Sequence, residues 1–333
     1  MRYYSPLSDE ITETPGTWAI PLNREHDVER SENTSFKNGI MFAFDSTSIG
    51  LFKTCPRKFY YSIVMGYEPA TMAPPLAFGI ALHSVMDTWH KLLAANIDKQ
   101  TAFIRVTRLA GLLGEQLPIG DNTRTKETLV RTTVWFLDQF WDDHLITIKL
   151  PSGKAATELH FELPFMEYLG IKTFICGHID RLATWQGKAF VADLKTTKYQ
   201  LDSRFFEGFK PSTQMSLYVT ACHLIANKYQ ELPPAHGVII DGVQLGVNFS
   251  RFGRQVIPYS LEEVNEYIEN LQYWIKQAMD ACKNNHFPAN EESCNKYSGC
   301  HFRDICSKPA ARRETFLKGT FKQRTWDPLK PRT

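Results

Sequence analysis

No stretch of the 333 residues approaches the roughly 20 consecutive apolar side chains that a membrane-spanning helix needs. The first residues, "MRYYSPLSDEITETPG", lack the apolar centre of a secretory signal, so a cytosolic (cytoplasmic) protein is expected. There is no low-complexity tract, no internal repeat and no convincing linker. A G-x-x-x-x-G-K-[ST] phosphate loop is also missing, so any helicase or other motor working with this chain is a separate polypeptide. Nor is there a large excess of one charge: 38 Lys and Arg stand against 36 Asp and Glu, a net of +2.

What is present is a globular composition, 43% hydrophobic and 13% aromatic, long enough for one large core or two smaller ones. The small net charge is unevenly spread. Residues 1–45 hold eight acids and four bases, a net of −4, and residues 307–333 hold eight bases and two acids, a net of +6. A basic tail can follow a phosphate backbone, and a solvated, partly disordered terminus explains it equally well. Seven cysteines are an odd number for disulfides, which cytosolic chains rarely use. Cys294, Cys300 and Cys306 fall together in "ESCNKYSGCHFRDIC", which suggests a metal centre. Cys176, Cys222 and Cys282 lie in apolar patterns and read as small core residues.

Residues 1–45 read as an irregular lead. "FDSTSIGLFKTCPRKFYYSIV" then predicts a helix entered through a Ser46 or Ser48 cap, with Phe52, Cys55 and Phe59 on one face. "FGIALHSVMDTWHKLLAA" predicts a second helix that carries His83, and helical sequence continues to the aromatic run 128–145. The period then changes to two. "TELHFELPFMEY", "KTFICGHIDRLATW" and "KAFVADLKTT" predict three consecutive strands, the last two joined by a tight turn at Gln186-Gly187. A helix over about 204–227, strands in "HGVIIDGVQ" and "RQVIPYS", and a Ser260/Glu263 capping box opening a helix to about 283 complete the pattern. This is one α/β domain with flanking helices.

"VADLKTTKYQ" places Asp193 and Lys195 on one side of a strand, with Leu194 turned away. Counting outward from the Gln186-Gly187 turn puts Asp180 of "GHIDRL" opposite Asp193. Two carboxylates that close repel unless something neutralises them, and a hard divalent cation such as Mg²⁺ or Mn²⁺ does so. Lys195 beside them could hold a scissile phosphate or help position or deprotonate a water. Either motif alone is equally an ordinary surface ion pair, Asp180 with Arg181 and Asp193 with Lys195 or Lys198. His83 adds a possible imidazole ligand, although a lone histidine in an apolar helix is commonly a core residue. Gln214 and Tyr218, four apart, share a helix face and could hydrogen-bond a phosphate or orient Lys195.

A histidine on an early helix, "G-x-I-D" in one strand, "D-x-K" in the next and "Q-x-x-x-Y" on the following helix together resemble the PD-(D/E)XK nuclease superfamily, in its RecB-like branch. The resemblance spans residues 46–306. It implies a restriction-endonuclease-like core, a central mixed sheet flanked by helices, with metal bound by His83, Asp180, Asp193 and the Leu194 carbonyl. It also implies a catalytic Lys195 supported by Gln214 and Tyr218. "CPRKFYY" at Cys55 with the three late cysteines is similar to the iron–sulfur members, the CRISPR-associated single-strand exonucleases and their bacteriophage relatives. In those, one early and three late cysteines hold a 4Fe–4S cluster that staples the two ends of the domain. That implies a helical cysteine subdomain built from Cys55, Cys294, Cys300 and Cys306. The late spacing here, C-x5-C-x5-C, departs from the C-x2-C-x5-C of the CRISPR-associated members. Structural Zn²⁺ is the alternative, with His301 as a spare ligand.

The implied activity is a metal-dependent DNA nuclease, an exonuclease on single strands or duplex ends. Its implied setting is DNA recombination or repair, phage DNA metabolism or CRISPR adaptation, with a possible helicase or recombination partner. Arg57, Lys58, Lys198 and Arg204 are the expected backbone contacts, and Phe59, Tyr60 and Tyr61 could stack on bases, although aromatics at helical spacing are more commonly core. A structure-specific endonuclease and a non-catalytic DNA-binding scaffold of the same fold are the rival readings.

Overall fold

In the computed structural model, residues 12–14, 17–19, 43–228, 233–296 and 299–324 are described. Most of the acidic lead and the last nine residues of the basic tail therefore lie outside the described residues. In chain order the strands are β1 (Thr12–Thr14), β2 (Thr17–Ala19), β3 (Ala43–Phe44), β4 (Tyr67–Pro69), β5 (Ile146–Thr147), β6 (Thr157–Tyr168), β7 (Ile171–Trp185), β8 (Lys188–Thr197), β9 (Gly237–Leu245), β10 (Ser250–Pro258) and β11 (Phe321–Gln323). The longer helices are α1 (Ser46–Thr54), α2 (Pro74–Ala94), α3 (Lys99–Gly114), α4 (Lys126–Gln139), α5 (Thr213–Lys228), α6 (Leu261–Lys283) and α7 (Ala310–Thr320).

The three period-two segments form the middle of a mixed sheet of order β1-β2-β6-β7-β8-β9-β10, with β3 and β5 also pairing with β7. The pairs β6/β7, β7/β8 and β9/β10 are antiparallel, whereas β8 and β9 run parallel through the crossover helix α5. Helices α1, α5 and α6 cover one face, where Phe161, Ile179, Val191, Leu217, Val219 and Leu271 are buried together. Helices α2, α3 and α4 pack on the other, where Leu82, Val85, Val106 and Leu129 meet Leu194 and Val243 of the sheet. The fold is thus the expected helix-flanked mixed α/β sheet. No helix among the described residues is long and apolar enough to cross a membrane.

Several boundaries differ from expectation for local reasons. The cap of α1 is Asp45, whose Oδ1 accepts from the Ser48 backbone N–H at 2.8 Å, while Ser48 Oγ returns a bond to the Asp45 N–H at 3.0 Å. Ser48 is thus the inner partner of a capping box, and Ser46 lies inside the helix. The helix expected to run on stops at Cys55, which is extended at φ −164° and ψ 111°. Pro56 disfavours the helical region for the residue before it, and so it sets this break. A helical turn over Pro56–Phe59 and a π-turn over Tyr60–Val64 follow.

The helix expected over 204–227 is two pieces, a turn at Ser203–Glu207 and then α5. Pro211, which supplies no N–H and restricts Lys210, falls between them. Residues 310–323, read as tail, instead form α7 and β11. Strand β11 pairs with β4, and Leu317 is buried against Tyr61, Tyr67, Phe302 and Ile305. Cys176, Cys222 and Cys282 are core residues, as their apolar surroundings imply, and burial pushes the Cys222 thiol up to about 12.

Asp45→Ala is expected to destabilise the chain by about 1 kcal/mol, and Ser46→Ala by less than about 0.5 kcal/mol. Urea denaturation of both variants checks which residue caps α1.

Candidate active site

Gln186 and Gly187 are both left-handed, at φ 50° and 74°, the geometry of a two-residue hairpin turn that matches strand twist. The register runs from Trp185 opposite Lys188 to Arg181 opposite Ala192. Asp180 and Asp193 occupy the next position, where β7 continues along β6 and β8 continues along β9. The two carboxylates therefore stand where the sheet forks.

Asp193 is 2% exposed and its carboxylate meets Lys195 Nζ at 2.6 Å. Burial pushes its carboxyl up to about 7; the Lys195 charge opposes this, and the neighbouring Asp180 adds to it. A single lysine does not offset the loss of water and the second acid. Leu194 sends its side chain into the α2–α4 core while its carbonyl oxygen stands 2.8 Å from His83 Nε2. The other ring nitrogen, Nδ1, lies 3.2 Å from Asp180 Oδ2. Both nitrogens face oxygen acceptors, an arrangement that suits a doubly protonated ring or one shared with a bound cation. Imidazole, two carboxylates and a backbone carbonyl are a donor set that fits Mg²⁺ or Mn²⁺.

His83, Asp180, Asp193, the Leu194 carbonyl and Lys195 are thus neighbours, although they come from α2, β7 and β8. Gln214 and Tyr218 bond to each other, Nε2 to phenol oxygen, at 3.1 Å. Both lie on α5, and Tyr218 is in the cluster that holds Val191, while Val191, Asp193 and Lys195 alternate onto one face of β8.

Glu158 was not singled out from the sequence. One ligand atom each from His83, Glu158 and Asp180 lie within 4.8 Å of one another, and among the described residues no other group of three does so. Counting back from the β6–β7 turn would place Leu159 opposite Asp180, since Tyr168 pairs with Ile171. An irregularity between Pro164 and Met166 shifts the register by one, so Thr157 faces Arg181 and Leu159 faces Ile179, leaving Glu158 beside Asp180. A bulge of this kind leaves no mark in a period-two pattern.

These groups line one end of a cavity of about 290 Å³ that runs beneath α2 to Trp141. At its floor Arg254 holds Asp143 through two bonds of 2.7 and 2.9 Å and Asp241 at 2.5 Å. Arg181, the neighbour of Asp180, lies 3.6 Å from Asp241 and donates to His90 Nε2 at 3.0 Å. Burial, with Arg181 and Arg254 alongside, holds His90 well below the usual imidazole range. It is neutral, accepting at Nε2 and donating from Nδ1 to Thr147 Oγ1 at 3.1 Å.

The four cysteines of the expected subdomain also approach one another. The Asn290 backbone N–H lies 3.4 Å from Cys55 Sγ, and its carbonyl is 4.0 Å from Cys294 Sγ. Burial pushes the Cys306 thiol up, with Cys300 and Cys55 close enough to add to the effect and Arg57 opposing it. Arg57 is thus beside the thiols. The expected stacking residues are otherwise engaged: Phe59 and Tyr61 are buried, and Tyr60 stacks on Phe287 at 4.4 Å. Phe59 and Tyr61 are core residues and Tyr60 is half-buried, the commoner outcome for aromatics at helical spacing. Lys198 pairs with Asp121 at 3.0 Å, and Arg204 with Asp202 at 2.8 Å on the surface.

The family model of the PD-(D/E)XK nuclease superfamily matches residues 46–307. No curated protein matches the chain. Among solved structures, the chain is similar to a candidate exonuclease from Eubacterium rectale at 12% identity and a TM-score of 0.47, over 86% of this chain and 97% of that one. It is also similar to SSO0001 at 12% identity and a TM-score of 0.29, over 70% of this chain and 94% of that one.

The raised carboxyl of Asp193 makes metal-free stability depend on pH. Between its ordinary value of 3.8 and about 7, the folded state keeps a proton that the unfolded state has lost. Its contribution is therefore full below 3.8 and disappears as pH rises through about 7. Asp193→Asn cannot lose that proton. In chelator, its melting temperature relative to the wild type is expected to climb from pH 5 to pH 8.

Proposed function

The chain belongs to the PD-(D/E)XK nuclease superfamily, and from that premise we propose that it is a divalent-metal-dependent deoxyribonuclease, an exonuclease acting on single-stranded DNA or duplex ends. The observation that carries this reading is the meeting of His83, Asp180, Asp193 and the Leu194 carbonyl with Lys195 at the fork of β7 and β8. Every position that the chemistry needs is filled by a competent side chain, which argues against a scaffold that has lost its site.

His83, Asp180, Asp193 and the Leu194 carbonyl would hold Mg²⁺ or Mn²⁺, which supplies Lewis acidity toward the phosphate and lowers the pKa of water. The chain's own groups do the rest. Asp193, out of water, gains most from a neighbouring cation and thus favours its binding. Lys195, 27% exposed at its side chain, presents an ammonium that offsets the charge gathering on the attacked phosphate. Gln214 and Tyr218 support Lys195 from α5. Lys198 and Arg204 are backbone contacts on the strand's approach.

Cys55, Cys294, Cys300 and Cys306 are proposed to hold a 4Fe–4S cluster that ties α1 to the segment after α6. No three of these thiols come within 4.8 Å of one another, whereas sulfurs about 2.3 Å from one zinc ion sit nearer than that. The group is a staple and takes no part in cleavage.

Digestion of end-labelled single- and double-stranded DNA with Mg²⁺, Mn²⁺ or chelator tests the main reading. Cleavage is expected to require metal, and Lys195→Ala to abolish it while leaving the melting temperature and DNA affinity in place. Inactive, well-folded, metal-loaded wild type would sink it. Cys300→Ser, prepared without oxygen, is expected to lose bound iron and to melt at lower temperature than wild type. Iron analysis and calorimetry check this.

A further inference from the structure

The cavity that begins at the forked strands extends well past the reacting groups. His83, Asp87, His90 and Ala94 recur along one face of α2, and all four line it. A helix rises about 1.5 Å per residue, so from His83 to Ala94 the lining runs for roughly 16 Å. Asp180, Asp193 and the Leu194 carbonyl occupy only the His83 end.

Beyond that end the walls turn apolar, with Trp89, Leu93, Phe140 and Trp141 facing the space. Trp89 is buried, and Trp141 lies against it with ring centres 6.1 Å apart. Lys99 fixes Trp141, donating to its carbonyl at 2.6 Å with the ammonium 5.6 Å from the ring centre. Protein interiors rarely leave about 290 Å³ of largely apolar space unfilled. Aromatic walls with a few polar groups among them are the usual form of a small-ligand site.

The polar groups are Thr147 and Asp143. Thr147 Oγ1 accepts the His90 Nδ1 hydrogen at 3.1 Å, so its own hydroxyl hydrogen remains to donate. Asp143 takes two bonds from Arg254 and one from the Leu145 N–H. Its two oxygens offer about four acceptor sites, so capacity for one more donor remains among the described residues. A donor and an acceptor thus stand in the same cavity as two indoles.

We propose that this far part of the cavity holds the unpaired nucleobase of a nucleotide flanking the scissile phosphate, stacked on Trp141 with its edge toward Thr147 and Asp143. The assignment rests on the nuclease reading, since a phosphate at the forked strands is what brings a base to this place. A nucleobase is a flat ring with donors and acceptors on its rim, which matches such walls and polar groups. Every base has a face to stack, so the pocket tolerates sequence. A base whose edge is turned to protein has no pairing partner, so the nucleotide enters single-stranded or flipped from a duplex. Trp141 is therefore a specificity residue, and Trp89 positions it.

Binding tests this without cleavage. Lys195→Ala, in Mg²⁺, is titrated in a calorimeter with short single-stranded oligonucleotides, each carrying one abasic residue at a different distance from either end. An abasic residue at one particular position is expected to weaken binding roughly 5- to 100-fold, the range for loss of one stacked base. Adding Ala94→Trp, which fills the far end of the cavity, is expected to lower affinity for the intact oligonucleotide and to erase the dependence on position. Trp141→Ala in the same background is expected to do likewise, and melting temperatures check that both variants fold. Binding that ignores the abasic position, or a dependence that survives both variants, would overturn the pocket. Position-dependent binding by a chain whose wild type cleaves nothing would leave the pocket standing and the nuclease reading fallen. Metal-dependent cleavage without position dependence would do the reverse.

Discussion

The register of one hairpin governs everything at the site. Gln186 and Gly187 turn the chain in two residues, and from there each pair follows by counting until Asp180 and Asp193 face one another. A slip of one residue would send each side chain to the opposite face of its strand and separate the two acids. The strands then part, β7 toward β6 and β8 toward β9, so the acids sit at the mouth of a fork and not in a closed ladder. Space for a ligand exists there because the backbone pairing has been given up on one side of each strand.

Holding two acids at such a place has an electrostatic cost, and the surroundings show how it is met. Lys195 and His83 each face a carboxylate directly. Behind them Arg181, Asp241, Arg254 and Asp143 form a nearly neutral buried network that ties β7, β9, β10 and the segment after α4 together. Buried pairs of this sort add little net stability, but losing one partner is expensive, so they restrict the structure to one arrangement. Arg181 also reaches His90, two turns along α2 from His83. The helix that brings the imidazole is thereby docked on the sheet at both ends of the cavity. Asp241, the register partner of Leu194, places the network directly beside the strand whose carbonyl meets His83.

The two ends of the domain are joined by a separate device. Pro56 breaks the first helix and leaves Cys55 extended, near Asn290 and the late cysteines. Tyr61 and Tyr67 then bury against Phe302, Ile305 and Leu317, and β11 adds itself to β4. Apolar burial and backbone pairing thus hold the chain's early and late segments together.

The chain by itself determined whatever depends on local period and nearest turns. Alternation over 157–197, the Gln186-Gly187 turn and the Ser260–Glu263 box made β6, β7, β8 and α6 legible, and with them the Asp180–Asp193 pair. His83, Lys195 and the cysteines were legible as chemistry, but only resemblance joined them across the chain. Tertiary structure decided the rest. The tail at 310–323 folded because Leu317 found a cluster to enter. Glu158 came beside Asp180 through a bulge several residues away, which shifts register without altering the apolar pattern that sequence reading relies on.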